Sequence, residues 1–380
     1  MINIINRDLI KEIVAKNSPI SKPQIAQISS LSLPTINKTV DAMVEEGLFK
    51  KAEVKVSHVG RKADYYELEG DSGSIIALYI ENDFTDGYVR GALADMLGNI
   101  IYREDRKIDY SLEAKGPVDL FEFINSLIKQ ANKETAIKAI SFGIPGVTDG
   151  NGYIYRIPNI ISWEGINLKK ILEKEYDIPT FIENDVNLTA VGVLHKFFLD
   201  QKQDIVYMYF GKGIGAGIII RGKLYKGKNN FAGEFSHLII SNPETNNLSD
   251  FKSEGLYTHE FMPIFSNIMN NADLTYLLKH EPENRSILNN QEIKLLMEKV
   301  SYLIINMIVL LNPEVIAIRG LTFNQAILDH IKTIITGYMG ANNCPDLLLI
   351  GDSETGLEGT IKLGLSHSFS NYSFINNKGV

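Results

Sequence analysis

The stretch FIENDVNLTA, residues 181–190, begins like an apolar strand and turns polar at Glu183, Asn184 and Asp185. Two carboxylates beside an amide indicate a binding or catalytic site, because carboxylates accept hydrogen bonds from hydroxyl groups and serve as general bases. Asp185 can therefore perform chemistry on a ligand or only hold it. Glu183 is expected to support the turn rather than to contact the ligand.

The chain around this stretch, residues 71–380, alternates strand-like apolar runs with amphipathic helical segments. The clearest strand-like runs are SIIALYI, YVRGALAD, AIKAISFGI, IVYMYFGKGIGAGIII and VIAIRG. This alternation is typical of an α/β fold. The 380 residues are 44% hydrophobic and 22% charged, so the chain can bury a large core and is long enough for two or three domains. Gly70–Gly73 is the expected junction with the residues that precede this body.

Composition excludes several classes of protein. The single cysteine, Cys344, rules out an intramolecular disulfide and any zinc site built from several cysteines. The start MINIINRDLIKEIV is interrupted by charge, unlike a secretory signal. The apolar run LIINMIVLL is too short to span a bilayer. We therefore expect a cytoplasmic protein without a membrane partner.

The first 70 residues predict a winged helix-turn-helix DNA-binding domain. Ser21 with Gln24, and Ser32 with Pro34, mark the starts of two short helices, and Gly47 is placed to end the second. KKAEVKV and DYYELE then alternate as two strands around the loop SHVGRK, which forms the wing. A small helical protein-interaction domain is the alternative interpretation.

Charge favours DNA binding by this head. Residues 1–62 contain ten Lys and Arg against six Asp and Glu, so the head carries +4; since the whole chain carries −8, the remainder carries −12. Six side chains at the start of the second helix and on the wing can touch bases or phosphates, namely Ser32, Thr35, Asn37, Lys38, Arg61 and Lys62. The expected partner is double-stranded operator DNA. A homodimer or a dimer of dimers would bind it, since helix-turn-helix proteins pair their half-sites across a two-fold axis.

Two further motifs lie in the body. FGKGIGAGIIIRGKLYKG, residues 210–227, places glycines between apolar strands, where backbone N–H groups can approach a phosphate or a sugar hydroxyl. An ordinary tight hairpin is the simpler alternative. AGEFSH, residues 232–237, places Glu234 and His237 three residues apart, so both can face one side of a turn and bind hydroxyl groups. A purely structural role for His237 is equally open.

In their order, SFGIPGVTDGNGYIYRIPNIISWEGINL, ENDVNLTA, GKGIGAGIIIRGKLYKG, AGEFSH and LNPEVIAIRG resemble segments of the ROK family of repressors, open reading frames and sugar kinases. The head resembles that of the repressor branch, which includes the xylose and N-acetylglucosamine repressors. The resemblance covers almost the whole chain. It implies an α/β, actin-like body of the sugar kinase, hsp70 and actin type (ribonuclease H-like), with a sugar in the cleft between two lobes.

The expected domains are a winged helix-turn-helix head at residues 1–70, a smaller first lobe at 71–185 and a second lobe at 186–380, whose C-terminal end can return to the first lobe. The resemblance also implies six sugar-binding residues: Asn159, Asn184, Asp185, Glu234, His237 and Glu254. In the family's kinases, the aspartate that matches Asp185 is the base that deprotonates the attacking sugar hydroxyl. Asp185 is thus the expected catalytic residue if the chain is a kinase, and none is expected otherwise.

The segments that would face a nucleotide depart from the family pattern. The phosphate loop Asp-Ile-Gly-Gly-Thr becomes DFTDG at residues 83–87, where the Asp86 carboxylate would repel ATP phosphates. Gly-Thr-Gly becomes GKG at 211–213, whose lysine can still attract phosphate, and a Gly-Gly pair becomes Arg319-Gly320. The sugar-facing motif is nearly whole. We therefore expect sugar binding without ATP binding.

The family's zinc site also departs. It uses the histidine matching His237 and three cysteines, but the segment after His237, LIISNPETNNLSDFKSEGLY, contains none, and Ser236 replaces the usual glycine. No metal and no other cofactor is expected. Together these features favour a sugar-responsive transcriptional regulator, a repressor of carbohydrate genes without kinase activity. An active ATP-dependent sugar kinase with a DNA-binding head, and a dimerisation scaffold without a ligand, are the alternatives.

Overall fold

The computed structural model describes residues 2–52, 64–80, 88–107, 118–133, 135–157, 160–198, 202–211, 213–239, 255–281, 283–351 and 354–368. The elements of the head are, in chain order, α1 (Ile2–Asn17), β1 (Ile20–Ser21), α2 (Lys22–Ser29), α3 (Leu33–Glu45), β2 (Phe49–Lys51) and β3 (Tyr65–Leu68). The antiparallel order β1-β3-β2 closes a small sheet beside the helices.

Local sequence signals explain the head. The Ser21 amide donates to Gln24 Oε1 (3.0 Å), as the capping box at the start of α2 predicts. Ser32 Oγ accepts from the Thr35 amide at the start of α3. Gly47 follows α3 with φ +70°, a conformation that favours glycine. The buried face of α3 packs with α1, α2 and the strands in one apolar core.

The body continues through β4 (Ser74–Ile80), β5 (Tyr88–Asp95), β6 (Ile100–Lys107), α4 (Val118–Gln130), β7 (Ile137–Ile144), β8 (Val147–Thr148), β9 (Ile154–Arg156), α5 (Leu168–Tyr176), β10 (Thr180–Asn184), α6 (Asp185–Phe197), β11 (Ile205–Phe210), β12 (Ile214–Ile220), β13 (Lys223–Leu224), α7 (Leu256–Met269), α8 (Ala272–His280), α9 (Gln291–Leu311), β14 (Val315–Arg319), α10 (Gln325–Met339), β15 (Asp346–Leu349) and α11 (Glu354–Ser368). No helix in the described ranges is both long and apolar enough to cross a membrane.

Two sheets with the same topology form the body. Within the described residues, the first has the strand order β10-β7-β4-β5-β6 and the second the order β13-β12-β11-β14-β15. In each sheet, three consecutive strands form an antiparallel meander. The first strand of the meander also pairs in parallel with a fourth strand, and the fourth pairs in parallel with a fifth. Successive side chains of a strand point to opposite faces of the sheet. Ile76 and Leu78 of β4 accordingly pack with α4 and α5, whereas Ile75 and Ala77 pack with α11.

The last helix after each sheet packs on the other sheet. α6 leaves the first sheet and packs on β11 and β12, while α11 leaves the second sheet and packs on β4 and β7. The two helices cross with their backbones in contact. A Cβ on Gly192 would lie 1.8 Å from the Thr355 carbonyl oxygen, and a Cβ on Gly359 would lie 1.8 Å from that of Leu188. This crossing joins the two halves of the body.

Candidate functional site

A cavity of about 430 Å³ lies between the carboxyl ends of β7 and β10 on one side and β12 on the other. Its volume falls in the range of roughly 300–1,000 Å³ typical of small-molecule sites. We call its two sides the α6 wall and the β12 wall. The α6 wall comprises residues 145–148, Arg156 and residues 183–187. The β12 wall comprises Tyr209, residues 213–216 and 230–234, Ser236, His237, Thr258 and Met262.

Asn184 fixes the start of α6. Its Oδ1 accepts from the amides of Val186 (2.9 Å) and Asn187 (3.1 Å), so it caps the helix. Its Nδ2 donates to the Gly146 carbonyl (2.9 Å) in the loop after β7. Gly146 has φ +105°, and a Cβ there would lie 2.2 Å from the Arg156 carbonyl oxygen, so only glycine fits this loop. The side chain of Asn184, which the sequence predicts to bind sugar, therefore also fixes the position of the α6 wall.

Glu183 supports the turn, as the sequence predicts. Its Oε1 accepts from the Asn184 amide and from Asn187 Nδ2, both at 3.0 Å. Its Oε2 lies 3.0 Å from Lys226 Nζ, and both side chains of this ion pair are at most 10% exposed. Because Lys226 follows β13, this buried pair ties the end of the first sheet to the second.

Asp185 is the first residue of α6 and is 6% exposed. The partial positive charge at a helix N-terminus favours an ionised carboxylate at this position. Its backbone carbonyl accepts from Thr189 Oγ1 (2.9 Å), which also bonds the Tyr79 hydroxyl (2.9 Å). These hydrogen bonds fix the backbone of Asp185 in the interior of the body. Asp185 also borders the cavity, where a carboxylate can accept hydrogen bonds from ligand hydroxyls.

The glycines of the predicted hairpin serve two purposes. β11 and β12 pair antiparallel around a tight turn closed by the Gly211 amide and the Gly213 carbonyl (2.9 Å). Gly213 and Gly215 line the cavity. Gly217 instead allows β12 to lie against α6, since a Cβ there would approach Ala190 Cβ to 2.5 Å. The structural and the ligand-facing interpretations of this hairpin both apply, to different glycines.

Glu234 and His237 lie at the two ends of one short turn of the β12 wall. The His237 amide donates to the Glu234 carbonyl (3.1 Å), and Gly233, at φ +92°, presses the turn against Ala216 of β12. Burial raises the pKa of the Glu234 carboxyl, and the positive charge of Arg156 opposes this rise in part. Glu234 borders the cavity, where a carboxylate can accept hydrogen bonds from a ligand.

The structure brings Asn184, Asp185, Glu234 and His237 together around one cavity. Their role in sugar binding stays a prediction. Asn159 and Glu254, the other two residues of the predicted set, lie outside the described residues.

Sequence reasoning missed several residues that line the cavity. Arg156 stands within a quoted motif but carries no spacing signal of its own. Thr258 and Met262 look like ordinary core residues of an amphipathic helix, and only the fold brings them to the cavity.

The donor set does not fit the zinc ion that the resemblance implies. That site needs three cysteines beside His237, whereas the sole cysteine, Cys344, lies in the loop before β15 and packs against the core of the second sheet. Among the described side chains, no group of three or more His, Cys, Asp or Glu could hold a metal ion.

The predicted DNA-contacting residues fall into two groups on the head. Asn37 and Lys38 are exposed on α3, opposite the buried Ile36. Ser32 and Thr35 lie at the start of α3, where their hydroxyls bond each other at 2.8 Å. The wing residues Arg61 and Lys62 lie outside the described residues, as does the phosphate-loop segment 83–87.

Two family models match separate parts of this chain. The model of the ROK family matches residues 86–252, and that of a winged helix-turn-helix DNA-binding domain matches residues 2–50. The xylose repressor of Caldicellulosiruptor bescii is 28% identical over 242 residues, which are 62% of this chain and 59% of that protein. The chain thus spans under two thirds of this relative.

Two solved structures share the fold. A ROK family transcriptional regulator, a homologue of the E. coli MLC protein, superposes with a TM-score of 0.74 over 97% of this chain and 98% of its own, at 20% identity. The ROK hexokinase from Thermus thermophilus gives 0.57 over 76% of this chain and 96% of its own, at 18% identity. The whole chain therefore has the fold of the regulator, and its body also has that of the kinase. The chain therefore carries a ROK family domain together with a winged helix-turn-helix domain at its N-terminus.

Proposed function

We propose that this protein is a sugar-responsive DNA-binding transcriptional repressor of carbohydrate genes, without kinase activity. The observation that carries the proposal is the joint presence of a winged helix-turn-helix head and a cavity bordered by carboxylates, amides and an imidazole. These groups are the donors and acceptors that bind sugar hydroxyls. The similarity to xylose repressors agrees with this combination.

The response to sugar follows from the crossing of α6 and α11. A sugar that contacts Asp185 and Glu234 together holds the α6 wall and the β12 wall at one spacing. Because α6 and α11 touch through their backbones, a change in that spacing reorients the first sheet, to which the head is attached through Gly70. The sugar shifts this equilibrium only by its differential affinity for the two arrangements. We assign the DNA-binding form to the sugar-free state and expect it to be a dimer on a two-fold operator.

Absence of kinase activity rests on the sequence of the phosphate loop. Asp86 replaces a glycine of the family pattern and would repel the phosphates of ATP. Asp185 keeps the position of the kinases' base, so the kinase remains the second candidate. An ATP-coupled assay with pentoses, hexoses and N-acetylhexosamines separates the two. Phosphorylation that is lost in Asp185→Asn would establish the kinase instead.

Sugar binding is tested by thermal unfolding of the full chain against a broad panel of pentoses, hexoses, N-acetylhexosamines and their phosphates. A ligand that binds the native state raises the unfolding temperature by mass action. We expect at least one sugar to do so in the wild type and not in Asp185→Asn. A panel without any effect would favour a dimerisation scaffold without a ligand.

DNA binding is tested by selecting duplexes from a random pool with the full chain. Lys38→Ala should weaken binding to the selected duplex and reduce the slope of affinity against salt concentration by about one ion, as expected for a phosphate contact. Lys332→Ala, an exposed lysine on α10 of the body, is the matched control. Equal binding by all three proteins would contradict the assignment of the head.

A further inference from the structure

Helix α7 contributes two side chains to the β12 wall, Thr258 and Met262. They are four residues apart and therefore lie on one face of the helix. Gly255, at φ +80°, brings the start of α7 onto the turn that carries His237, because a Cβ there would lie 2.1 Å from the Ser236 carbonyl oxygen. The two side chains are thus held in place beside the turn that carries Glu234 and His237.

The hydroxyl of Thr258 has unused bonding capacity. Thr258 is 8% exposed, and no described residue forms a hydrogen bond with its Oγ1. Leaving a buried hydroxyl without a partner is unfavourable, and such groups are uncommon in folded proteins. Buried threonines of α6 and α11 are paired: Thr189 donates to the Asp185 carbonyl (2.9 Å) and Thr360 to that of Gly356 (2.8 Å).

We propose that Thr258 is a specificity-determining residue that hydrogen-bonds an exocyclic oxygen or nitrogen of the bound sugar, while Met262 contacts the carbon that carries this atom. A hydroxyl beside a thioether on one helix face matches a group that is polar at its tip and apolar at its base. The ligand class is then a hexose or hexose derivative with an exocyclic substituent, rather than a pentopyranose. The inference rests on the proposed function and refines it.

Thr322 supplies a matched control. It is fully buried in the loop between β14 and α10, and no described residue bonds its hydroxyl either, but it does not line the cavity. Replacing either threonine by valine keeps the side-chain shape and removes an unpartnered hydroxyl. Both variants should therefore unfold at the temperature of the wild type or above it. The two variants should therefore differ only in their affinity for the sugar.

The experiment measures the affinity of the full chain for D-xylose, D-glucose and N-acetyl-D-glucosamine by titration calorimetry. D-glucose differs from D-xylose by one hydroxymethyl group, and N-acetyl-D-glucosamine adds an acetamido group. We expect the wild type to bind at least one of the two hexoses more tightly than D-xylose. Thr258→Val should weaken that binding about tenfold, and Thr258→Ser, which keeps the hydroxyl, should largely restore it.

The outcomes separate this inference from the function on which it rests. Thr322→Val should bind as the wild type does. If Thr258→Val also binds as the wild type does, or if D-xylose binds as tightly as both hexoses, the inference is overturned and the sugar sensor stands. If no sugar of the broad thermal panel binds the wild type, the proposed function fails and the inference fails with it.

Discussion

The α6 wall and the β12 wall border the same cavity, but their polar groups differ in how they are paired. On the α6 wall, the side chains of Glu183 and Asn184 form hydrogen bonds with neighbouring backbone groups, and Glu183 also pairs with Lys226. On the β12 wall, burial raises the pKa of the Glu234 carboxyl, and no described residue forms a hydrogen bond with the Thr258 hydroxyl. One wall is held rigid before a ligand arrives, whereas the other keeps bonding capacity for it.

This difference has an energetic meaning. A preorganised wall loses little conformational freedom when a ligand binds, which favours affinity. Unpaired buried groups destabilise the free protein, and a ligand that pairs them binds more tightly for that reason. Substitutions of Glu183 and Asn184 should therefore lower stability first, and substitutions of Glu234 and Thr258 should lower binding first.

The largest effect is expected where α6 meets α11. In Gly192→Ala, the new methyl group would lie 1.8 Å from the Thr355 carbonyl oxygen, so the helices must separate. We expect the free energy of unfolding in urea to fall by about 4 kcal/mol or more. Gly337→Ala is the control: nothing lies within 4 Å of its Cβ, and alanine in an exposed helix should stabilise α10 by about 0.5–1 kcal/mol. Equal effects of the two substitutions would refute the close crossing.

A smaller loss is expected at the buried ion pair of the α6 wall. Glu183→Ala leaves Lys226 buried without its partner and removes the acceptor of two further hydrogen bonds. The free energy of unfolding should fall by about 3 kcal/mol, measured in urea. Asp346→Ala breaks an exposed pair with Lys202 and should cost about 0–1 kcal/mol. If Glu183→Ala cost no more than Asp346→Ala, the α6 wall would not be fixed by this pair.

On the β12 wall, Glu234→Gln should separate stability from binding. Since burial raises the pKa of the Glu234 carboxyl above its ordinary value of 4.5, the native state holds this proton more tightly than the unfolded state does. The wild type therefore loses stability as pH rises from 4.5 through the raised pKa. Glu234→Gln removes this loss, so the variant should gain stability relative to wild type at pH 7 and show little difference at pH 4.

Binding should change in the opposite sense. A neutral amide offers one weaker acceptor in place of a carboxylate, so the affinity for a stabilising sugar should drop about tenfold at pH 7. Glu283→Gln, at an exposed position before α9, should change the free energy of unfolding by no more than about 0.5 kcal/mol at either pH. A Glu234→Gln variant that binds sugar normally would remove Glu234 from the site.

The sequence predicted the parts of this molecule that depend on local signals. The capping box at Ser21 and Gln24, the glycine hairpin and the supporting role of Glu183 all follow from short-range chemistry and are confirmed. The exchange of α6 and α11 is not predictable from local signals, because Gly192 and Gly359 meet only through long-range packing. The position of Thr258 at the cavity is likewise set by long-range packing, so the sequence does not predict it.

The most direct test of the account is the affinity of the full chain for its selected operator, with and without a stabilising sugar, in wild type and Asp185→Asn. We predict that saturating sugar weakens operator binding of the wild type roughly 5–150-fold, and that operator weakens sugar binding by the same factor. Asp185→Asn should bind the operator normally and show no response. A wild type whose operator affinity is unchanged by a sugar it binds would contradict the account.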